Sequence, residues 1–165
     1  MVLKYCPIKT KLASNQLKCL HCLTSINQLV IKEGFNGNLI FKDEYVCIDM
    51  DQVERVKAND ENRVQLNKSM DSAFSLENTT IVLVEYRFNY QNLKNLKSQD
   101  LTLKKFFSEQ IISKEKYLLH NEVYYVFDSS VIEQAKRRFR NFNPQLPQEY
   151  KPIELQDLKS KFFSV

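Results

Sequence analysis

The stretch IVLVEYRF, residues 81–88, constrains the fold more than any other part of the chain. Successive side chains of a β-strand point to opposite faces, and both alternating sets in this stretch begin with apolar residues. A strand that is apolar on both faces is covered on both sides, as are the central strands of layered α/β proteins. Its polar end, with Glu85 and Arg87 on one face, is therefore expected at the rim of the core, where a cleft can form.

The preceding stretch, MDSAFS at residues 70–75, is predicted to be the neighbouring strand of a hairpin. A loop centred on Asn78 places Asp71 directly opposite Glu85, where Cβ atoms lie roughly 4.5–5.5 Å apart. Two like charges at that separation are destabilising unless positive charge lies between them. The candidates for this charge are a divalent metal ion, Arg87 and Lys68. A register shift of one residue would place the two acids on opposite faces of the sheet.

An Asp at the start of one strand, followed after a short hairpin by Glu-x-basic on the next, resembles the PD-(D/E)XK, or restriction-endonuclease-like, nuclease superfamily. The order of predicted elements over residues 14–142 is similar as well. In that family the acids hold Mg²⁺, and a lysine helps to activate or position the nucleophile. The resemblance implies that Asp71 and Glu85 are metal ligands and that Arg87 stands in the place of the lysine, so that all three are catalytic. Glu33 is a candidate for the acid that some members carry late in their first helix.

The hairpin also departs from the family pattern. Arg87 cannot act as a base, because a guanidinium stays protonated; it can stabilise a pentacoordinate transition state, or it can neutralise the two acids without a metal. Met70 occupies the position of the proline in the family name. Two hypotheses follow. The chain is a Mg²⁺-dependent phosphodiesterase acting on nucleic acid, or a degenerate relative of one; alternatively, it is a non-catalytic immunity or regulatory protein that binds another protein.

Charge is distributed unevenly along a chain whose net charge is +4. Residues 135–142, AKRRFRNF, are basic, and residues 43–61 are rich in acids. The predicted contacts to nucleic acid are Lys68, Lys136, Arg137, Arg138 and Arg140. The alternative is an ordinary helix with Phe139 and Phe142 in the core and solvated charges outside. The acid-rich segment is a candidate surface for a basic protein partner, or a mimic of nucleic acid.

Two glycines are too few for a glycine-rich phosphate loop, so no nucleotide-binding motif of that kind is predicted. The N-terminal residues lack the apolar stretch of a signal peptide, and no apolar run is long enough to cross a membrane. A cytoplasmic protein with four reduced cysteines is therefore expected. Cys19 and Cys22 have the spacing of half a zinc site, but they fall within a helical pattern and no second pair follows. Free thiols are predicted, and Mg²⁺ rather than zinc is the expected cofactor.

The order of predicted elements is a helix, three or four strands, a helix, a strand and two helices. This order predicts an α/β (α+β) fold with a central mixed β-sheet of about four or five strands flanked by helices, as the resemblance also implies. A helix is expected from Ser14 or Asn15 to Lys32, ended by Gly34, with strands at 38–41 and 44–50 and a later helix starting at Ser98 or Asp100. Residues 1–143 are predicted to form one core domain, and residues 144–165 a Pro-containing connector and a C-terminal helix packed on it.

Overall fold

A six-stranded mixed sheet forms the centre of the computed structural model, which describes residues 2–90 and 93–163. The strands lie side by side in chain order: β1 (Leu23–Ser25), β2 (Val46–Asp49), β3 (Ser72–Ser75), β4 (Ile81–Arg87), β5 (Val123–Phe127) and β6 (Tyr150–Glu154). Strands β1 to β4 pair antiparallel, whereas β4, β5 and β6 run parallel. The predicted α/β class with a mixed sheet is confirmed, and the sheet is slightly larger than expected.

Helices cover both faces of this sheet. They are α1 (Pro7–Gln16), α2 (Ile26–Lys32), α3 (Met50–Asp60), α4 (Ser98–Lys114), α5 (Ile132–Arg140) and α6 (Leu155–Phe162). Buried residues of α1, α3, α4 and α5 join one apolar cluster, and those of α2 and α6 join the other. Within residues 2–90 and 93–163, no helix has both the length and the apolar character needed to cross a membrane.

Strand β4 is buried on both faces, as its sequence predicts. Ile81 and Leu83 belong to the cluster beneath α4, whereas Val82 and Val84 belong to the cluster on the other face. The hairpin with β3 has the predicted register, because Ala73 pairs with Leu83. Side-chain alternation and the short loop were sufficient to specify this pairing.

The N-terminal third differs from the prediction of one helix that begins at Ser14 or Asn15. The first helix begins at Pro7, whose fixed φ suits the first helical position. The chain then leaves the helix through Lys18, which has a φ of 58°, and continues into a short 3₁₀ turn and β1. The predicted end of the second helix is confirmed, since α2 stops at Lys32 and Gly34 follows with a φ of 101°.

The cysteines also depart from the prediction of four reduced thiols. Cys19 and Cys22 lie on the 3₁₀ turn and its N-terminal flank rather than inside a helix, and a disulfide joins them. Cys6 and Cys47 are free, and Cys47 is buried within β2. The expectation of reduced thiols is therefore wrong for Cys19 and Cys22.

The segment predicted to be a connector contains the sixth strand. Residues 150–154 of β6 pair with β5 along its whole length, and α6 follows directly. Pro152 is tolerated because an edge strand needs to donate hydrogen bonds on one side only. The strand predicted at 38–41 is absent from the described structure, where these residues are irregular. Five residues of the predicted core domain (1–143) and C-terminal segment (144–165) lie outside the described residues. They are Met1, Gln91, Asn92, Ser164 and Val165.

Candidate functional site

Asp71 and Glu85 meet at one end of the sheet. The last ladder pair before them joins Ser72 to Val84, so the next pair along the hairpin is Asp71 opposite Glu85. Both side chains are buried, with exposed fractions of 4% and 2%. Asp71 Oδ2 accepts a hydrogen bond from the backbone N–H of Tyr86 at 2.7 Å, and its carboxyl lies within hydrogen-bonding reach of the Glu85 carboxyl.

Two further acids converge on Asp71 from separate helices. Glu33 lies at the C-terminal end of α2, and Asp51 lies in the first turn of α3. One carboxylate oxygen from each of Glu33, Asp51 and Asp71 lies within 4.8 Å of the other two. Ser69 donates a hydrogen bond to Asp51 Oδ1 at 2.5 Å and so orients that side chain. We call these three acids the acidic centre.

An ion pair draws the two helices of the acidic centre together. Lys32, in the last turn of α2, lies 2.9 Å from Oδ2 of Asp49. Asp49 also caps α3, because its Oδ1 accepts from the backbone N–H of Gln52 at 3.2 Å. The end of α2 and the start of α3 are therefore held at the same end of the sheet as the hairpin carboxylates.

The proton affinities of the acidic centre follow from burial and crowding. Burial, and then the charge of Glu85, raise the pKa of Asp71 well above its usual range. Burial, with the charges of Asp71 and Asp51, raises the pKa of Glu33 to about 7. These shifts are expected where carboxylates are packed together with too little positive charge among them.

Lys104 of α4 supplies the nearest positive charge to Glu85. Its Nζ lies 3.0 Å from each carboxylate oxygen of Glu85 and donates its hydrogen bond to Oε1. Burial opposes the charged form of this lysine, but the charges of Glu85 and Asp71 outweigh burial and raise the pKa of Lys104. Oε2 of Glu85 is buried and makes no hydrogen bond within the described part of the chain. The sequence prediction missed Lys104, because nothing in a helix pattern says which strand its charged residues face.

Arg87 does not bridge Asp71 and Glu85. The prediction that it supplies the positive charge between these two acids is therefore corrected. Its guanidinium donates to Asp100 Oδ2 at 3.1 Å and to the hydroxyl of Tyr90 at 2.7 Å. Lys68, the other predicted source, also pairs with Asp100. Burial opposes the charged form of Arg87, but the charge of Glu85, together with the hydrogen bond and charge of Asp100, outweighs burial and raises the pKa of Arg87. Asp100, which the sequence prediction did not select, thus holds both cations.

The basic residues of α5 are divided between packing and solvent. Arg138 stacks 4.8 Å from the ring centre of Phe142 and donates to the backbone oxygen of Leu96 at 3.0 Å. Phe139 and Phe142 are buried, as the ordinary-helix alternative predicted. Arg137 and Arg140 are exposed and Lys136 is half-buried. Arg138 is therefore a structural residue, and the other three remain available to a ligand.

Cys19, His21 and Cys22 form a second group of potential metal ligands. The sulfur of Cys19 lies 3.7 Å from Nε2 of His21, and both cysteines are buried. Because the disulfide occupies both sulfurs, neither is a thiolate that can bind a metal in this state. The carboxylates of the acidic centre are the stronger candidate for a functional site.

Comparison of the chain with protein-family models, with curated proteins and with solved structures found no match. The resemblance to PD-(D/E)XK nucleases therefore rests on the hairpin residues and the order of elements. What the acidic end of the sheet can do is argued from the chemistry of its own side chains.

Proposed function

We propose that the acidic centre binds a divalent cation such as Mg²⁺ and that the protein is a metal-dependent phosphodiesterase acting on nucleic acid. The observation that carries this proposal is the convergence of Glu33, Asp51 and Asp71, whose oxygens lie within 4.8 Å of one another although they come from three separate elements. Such an arrangement is costly without positive charge among the carboxylates. A bound cation removes that cost.

The side chains fit this kind of metal. Mg²⁺ prefers oxygen ligands and is commonly held by one or two carboxylates together with water and substrate phosphate. The acidic centre offers three carboxylates, and Oε2 of Glu85, which lies 3.0 Å from Nζ of Lys104, is a further buried oxygen. Glu33, Asp51 and Asp71 would hold the ion, with Glu85 beside them. No cysteine or histidine belongs to this group, which favours a hard cation over zinc.

The residues around the acidic centre have separable roles in phosphodiester cleavage. When bound, Mg²⁺ supplies a Lewis acid for a phosphate oxygen and lowers the pKa of a bound water. Lys104 forms an ion pair with Glu85 and offers an ammonium group to the negative charge that develops on the phosphate. The resemblance to the nuclease family assigns the role of this cation to Arg87 instead. Arg87 and Lys68 are both held by Asp100, and a substrate phosphate can compete with that carboxylate for them.

The acid-rich segment at 43–61 offers less support for the alternative of a protein-binding or nucleic-acid-mimicking surface. Three acids of this segment contact other residues of the protein and so contribute less to an exposed negative surface. Asp49 pairs with Lys32, Asp51 belongs to the acidic centre, and Glu54 forms a two-pronged ion pair with Arg63 at 3.1 Å. A negative face built from the remaining acids is correspondingly weaker.

The test combines metal titration with a cleavage assay. Thermal unfolding is followed in EDTA and in increasing Mg²⁺ or Mn²⁺, and single- and double-stranded DNA and RNA are offered as substrates. We expect metal to stabilise the wild-type protein and to support cleavage, and Asp51→Asn to lose both effects. Asp60→Asn is the matched control, because Asp60 is an exposed acid at the other end of the same helix.

A wild-type protein that neither responds to metal nor cleaves any of the four substrates would contradict the proposal. Binding of metal without cleavage would favour the non-catalytic alternative, in which the cation stabilises a scaffold that binds another protein.

A further inference from the structure

The segment that joins α1 to β1 carries a second set of metal-ligand side chains. Cys19, His21 and Cys22 each offer one ligand atom, and these three atoms lie within 4.8 Å of one another. None of the three residues belongs to the acidic centre. Their chemistry also differs, because sulfur and imidazole nitrogen are softer ligands than carboxylate oxygen. We call these three residues the cysteine turn.

The structure answers both arguments that the sequence offered against zinc at the cysteine turn. The sequence pattern placed Cys19 and Cys22 inside a helix, whereas the structure places them on a 3₁₀ turn and its N-terminal flank. The second argument was that no further cysteine pair follows. His21 supplies a third ligand instead, and a zinc site with three protein ligands leaves its fourth position to water.

The position of His21 beside Cys19 suits a tetrahedral zinc ion. Zn–S and Zn–N bonds of about 2.3 Å and about 2.0 Å, at a tetrahedral angle, place sulfur and nitrogen about 3.6 Å apart. Sγ of Cys19 lies 3.7 Å from Nε2 of His21. A disulfide joins the two sulfurs in this structure, so zinc binding requires the reduced pair, which supplies two thiolates.

Backbone hydrogen bonds shape the cysteine turn independently of the disulfide. The N–H of Cys19 donates to the backbone oxygen of Ser14 at 3.1 Å, and the Ser14 hydroxyl donates to the backbone oxygen of Cys19 at 2.6 Å. The N–H of Cys22 donates to the same Cys19 oxygen at 3.1 Å. Because no sulfur takes part in these bonds, we expect reduction to leave the backbone that carries the three ligands in place.

The surroundings of the two cysteines favour a neutral metal centre. Both are fully buried in an apolar cluster that includes Met50 and Val53 of α3. An isolated thiolate is costly in such surroundings, but two thiolates and one Zn²⁺ together carry no net charge. The side chain of His21 is exposed, which gives the ion a path from solution.

We propose that the reduced cysteine turn binds one Zn²⁺ through Cys19, His21 and Cys22, and that the disulfide is its metal-free state. Two thiols of a reductant open the disulfide: they become one disulfide, and Cys19 and Cys22 each gain one electron and one proton. Zn²⁺ then displaces the two thiol protons and takes Nε2 of neutral His21 as its third protein ligand. This inference does not rest on the proposed function, because no residue of the acidic centre takes part.

Cobalt tests this proposal, because Co²⁺ replaces Zn²⁺ and absorbs light strongly when thiolates bind it. The protein is kept reduced with a phosphine from cell lysis onward, freed of reductant without air, and titrated with CoCl₂. Thiol titration in denaturant should then find four free cysteines, against two in the disulfide form. We expect sulfur-to-cobalt absorption in the near ultraviolet that saturates at one ion per chain and disappears when Zn²⁺ is added.

His21→Gln is the decisive variant, because an exposed histidine can be replaced without disturbing the core. Loss of this direct ligand should weaken Co²⁺ binding about 100-fold. The matched control is His120→Gln, since His120 lies just before β5 and outside the cysteine turn. The control should bind Co²⁺ as the wild type does, and the disulfide form of the wild type should give no sulfur-to-cobalt absorption.

Three results would each overturn the proposal. They are a folded protein that keeps its disulfide in the phosphine, a reduced protein without sulfur-to-cobalt absorption, and a His21→Gln variant with the wild-type affinity. Ions held by carboxylates give no absorption of this kind, so metal at the acidic centre does not affect the result. The cysteine turn and the proposed nuclease activity therefore stand or fall separately.

Discussion

Replacing Asp71 with asparagine changes one buried charge while preserving its main hydrogen bond. The carboxylate accepts from the backbone N–H of Tyr86, and the side-chain oxygen of asparagine can accept from the same group. The substitution removes a negative charge that is crowded by Glu85 and Glu33. We therefore expect Asp71→Asn to stabilise the metal-free protein and to abolish its stabilisation by Mg²⁺.

The size of the expected gain in stability depends on whether Asp71 is charged or protonated in the folded wild type. Two carboxylates at the 4.8 Å limit of the acidic centre repel each other by about 3.5 kcal/mol at an effective dielectric constant of about 20. If Asp71 instead keeps its proton, the cost at a pH of about 7.5 is at most about 5 kcal/mol, since the unfolded pKa is about 3.9 and each pH unit corresponds to about 1.36 kcal/mol. The nearby charge of Lys104 offsets part of either cost. We expect a net gain of about 1–3 kcal/mol, which raises the Tm of a chain of 165 residues by about 3–10 °C.

Differential scanning calorimetry in EDTA and in excess Mg²⁺ measures both parts of this prediction. The wild type should gain about 2.7 kcal/mol when the metal is present at about 100 times its Kd, whereas Asp71→Asn should gain nothing. Asp60→Asn, an exposed acid on α3, should behave as the wild type does. A variant that is less stable than the wild type in EDTA would refute the argument from charge crowding.

Two further predictions concern the ion pairs around the acidic centre. Burial alone would raise the pKa of Asp100, but the hydrogen bonds from Lys68 and Arg87 outweigh burial and lower the pKa. Asp100 therefore stabilises the fold at pH values above its unfolded pKa, and this contribution is lost as the pH falls. Asp100→Asn should cost about 1 kcal/mol near neutral pH, and urea unfolding should show the difference shrinking below a pH of about 4; a loss that is independent of pH would contradict the ion-pair argument. Lys104→Met leaves buried Glu85 without its cation and should cost about 3 kcal/mol. Adding Glu85→Gln should restore most of that stability, so strictly additive effects in a double-mutant cycle would show that the two side chains are not coupled.

The hairpin could be predicted because its information is local. Alternation along residues 81–88 fixes which side chains share a face, and the short loop fixes the register, so the position of Asp71 opposite Glu85 follows from a few consecutive residues. The end of α2 at Lys32 and the start of α4 at Ser98 were predictable for the same reason, since helix ends carry local signals.

The rest of the site depends on contacts between distant parts of the chain. Asp51 joins Asp71 only because α3 begins at the end of β2, and the polar sequence that follows Asp51 gave no clear helical pattern. Arg87 lay on the predicted face but found its partner in Asp100 of α4, and Lys104 of the same helix took the position beside Glu85. Helix periodicity predicts a face, whereas the docking of that face on a strand is a tertiary property.

Strand β6 was missed because its sequence is typical of an edge rather than a central strand. Pro152 and Lys151 reduce its resemblance to an apolar, β-branched strand, and it pairs on one side only.

The central claim is that Glu33, Asp51 and Asp71 share a divalent cation. Anomalous diffraction from a crystal soaked in Mn²⁺ tests it directly. The account predicts a peak with oxygen atoms of these three side chains at distances of about 2 Å, as expected for small divalent cations. An anomalous map without a peak among these carboxylates, in crystals that diffract well enough to show Mn²⁺ elsewhere, would contradict it.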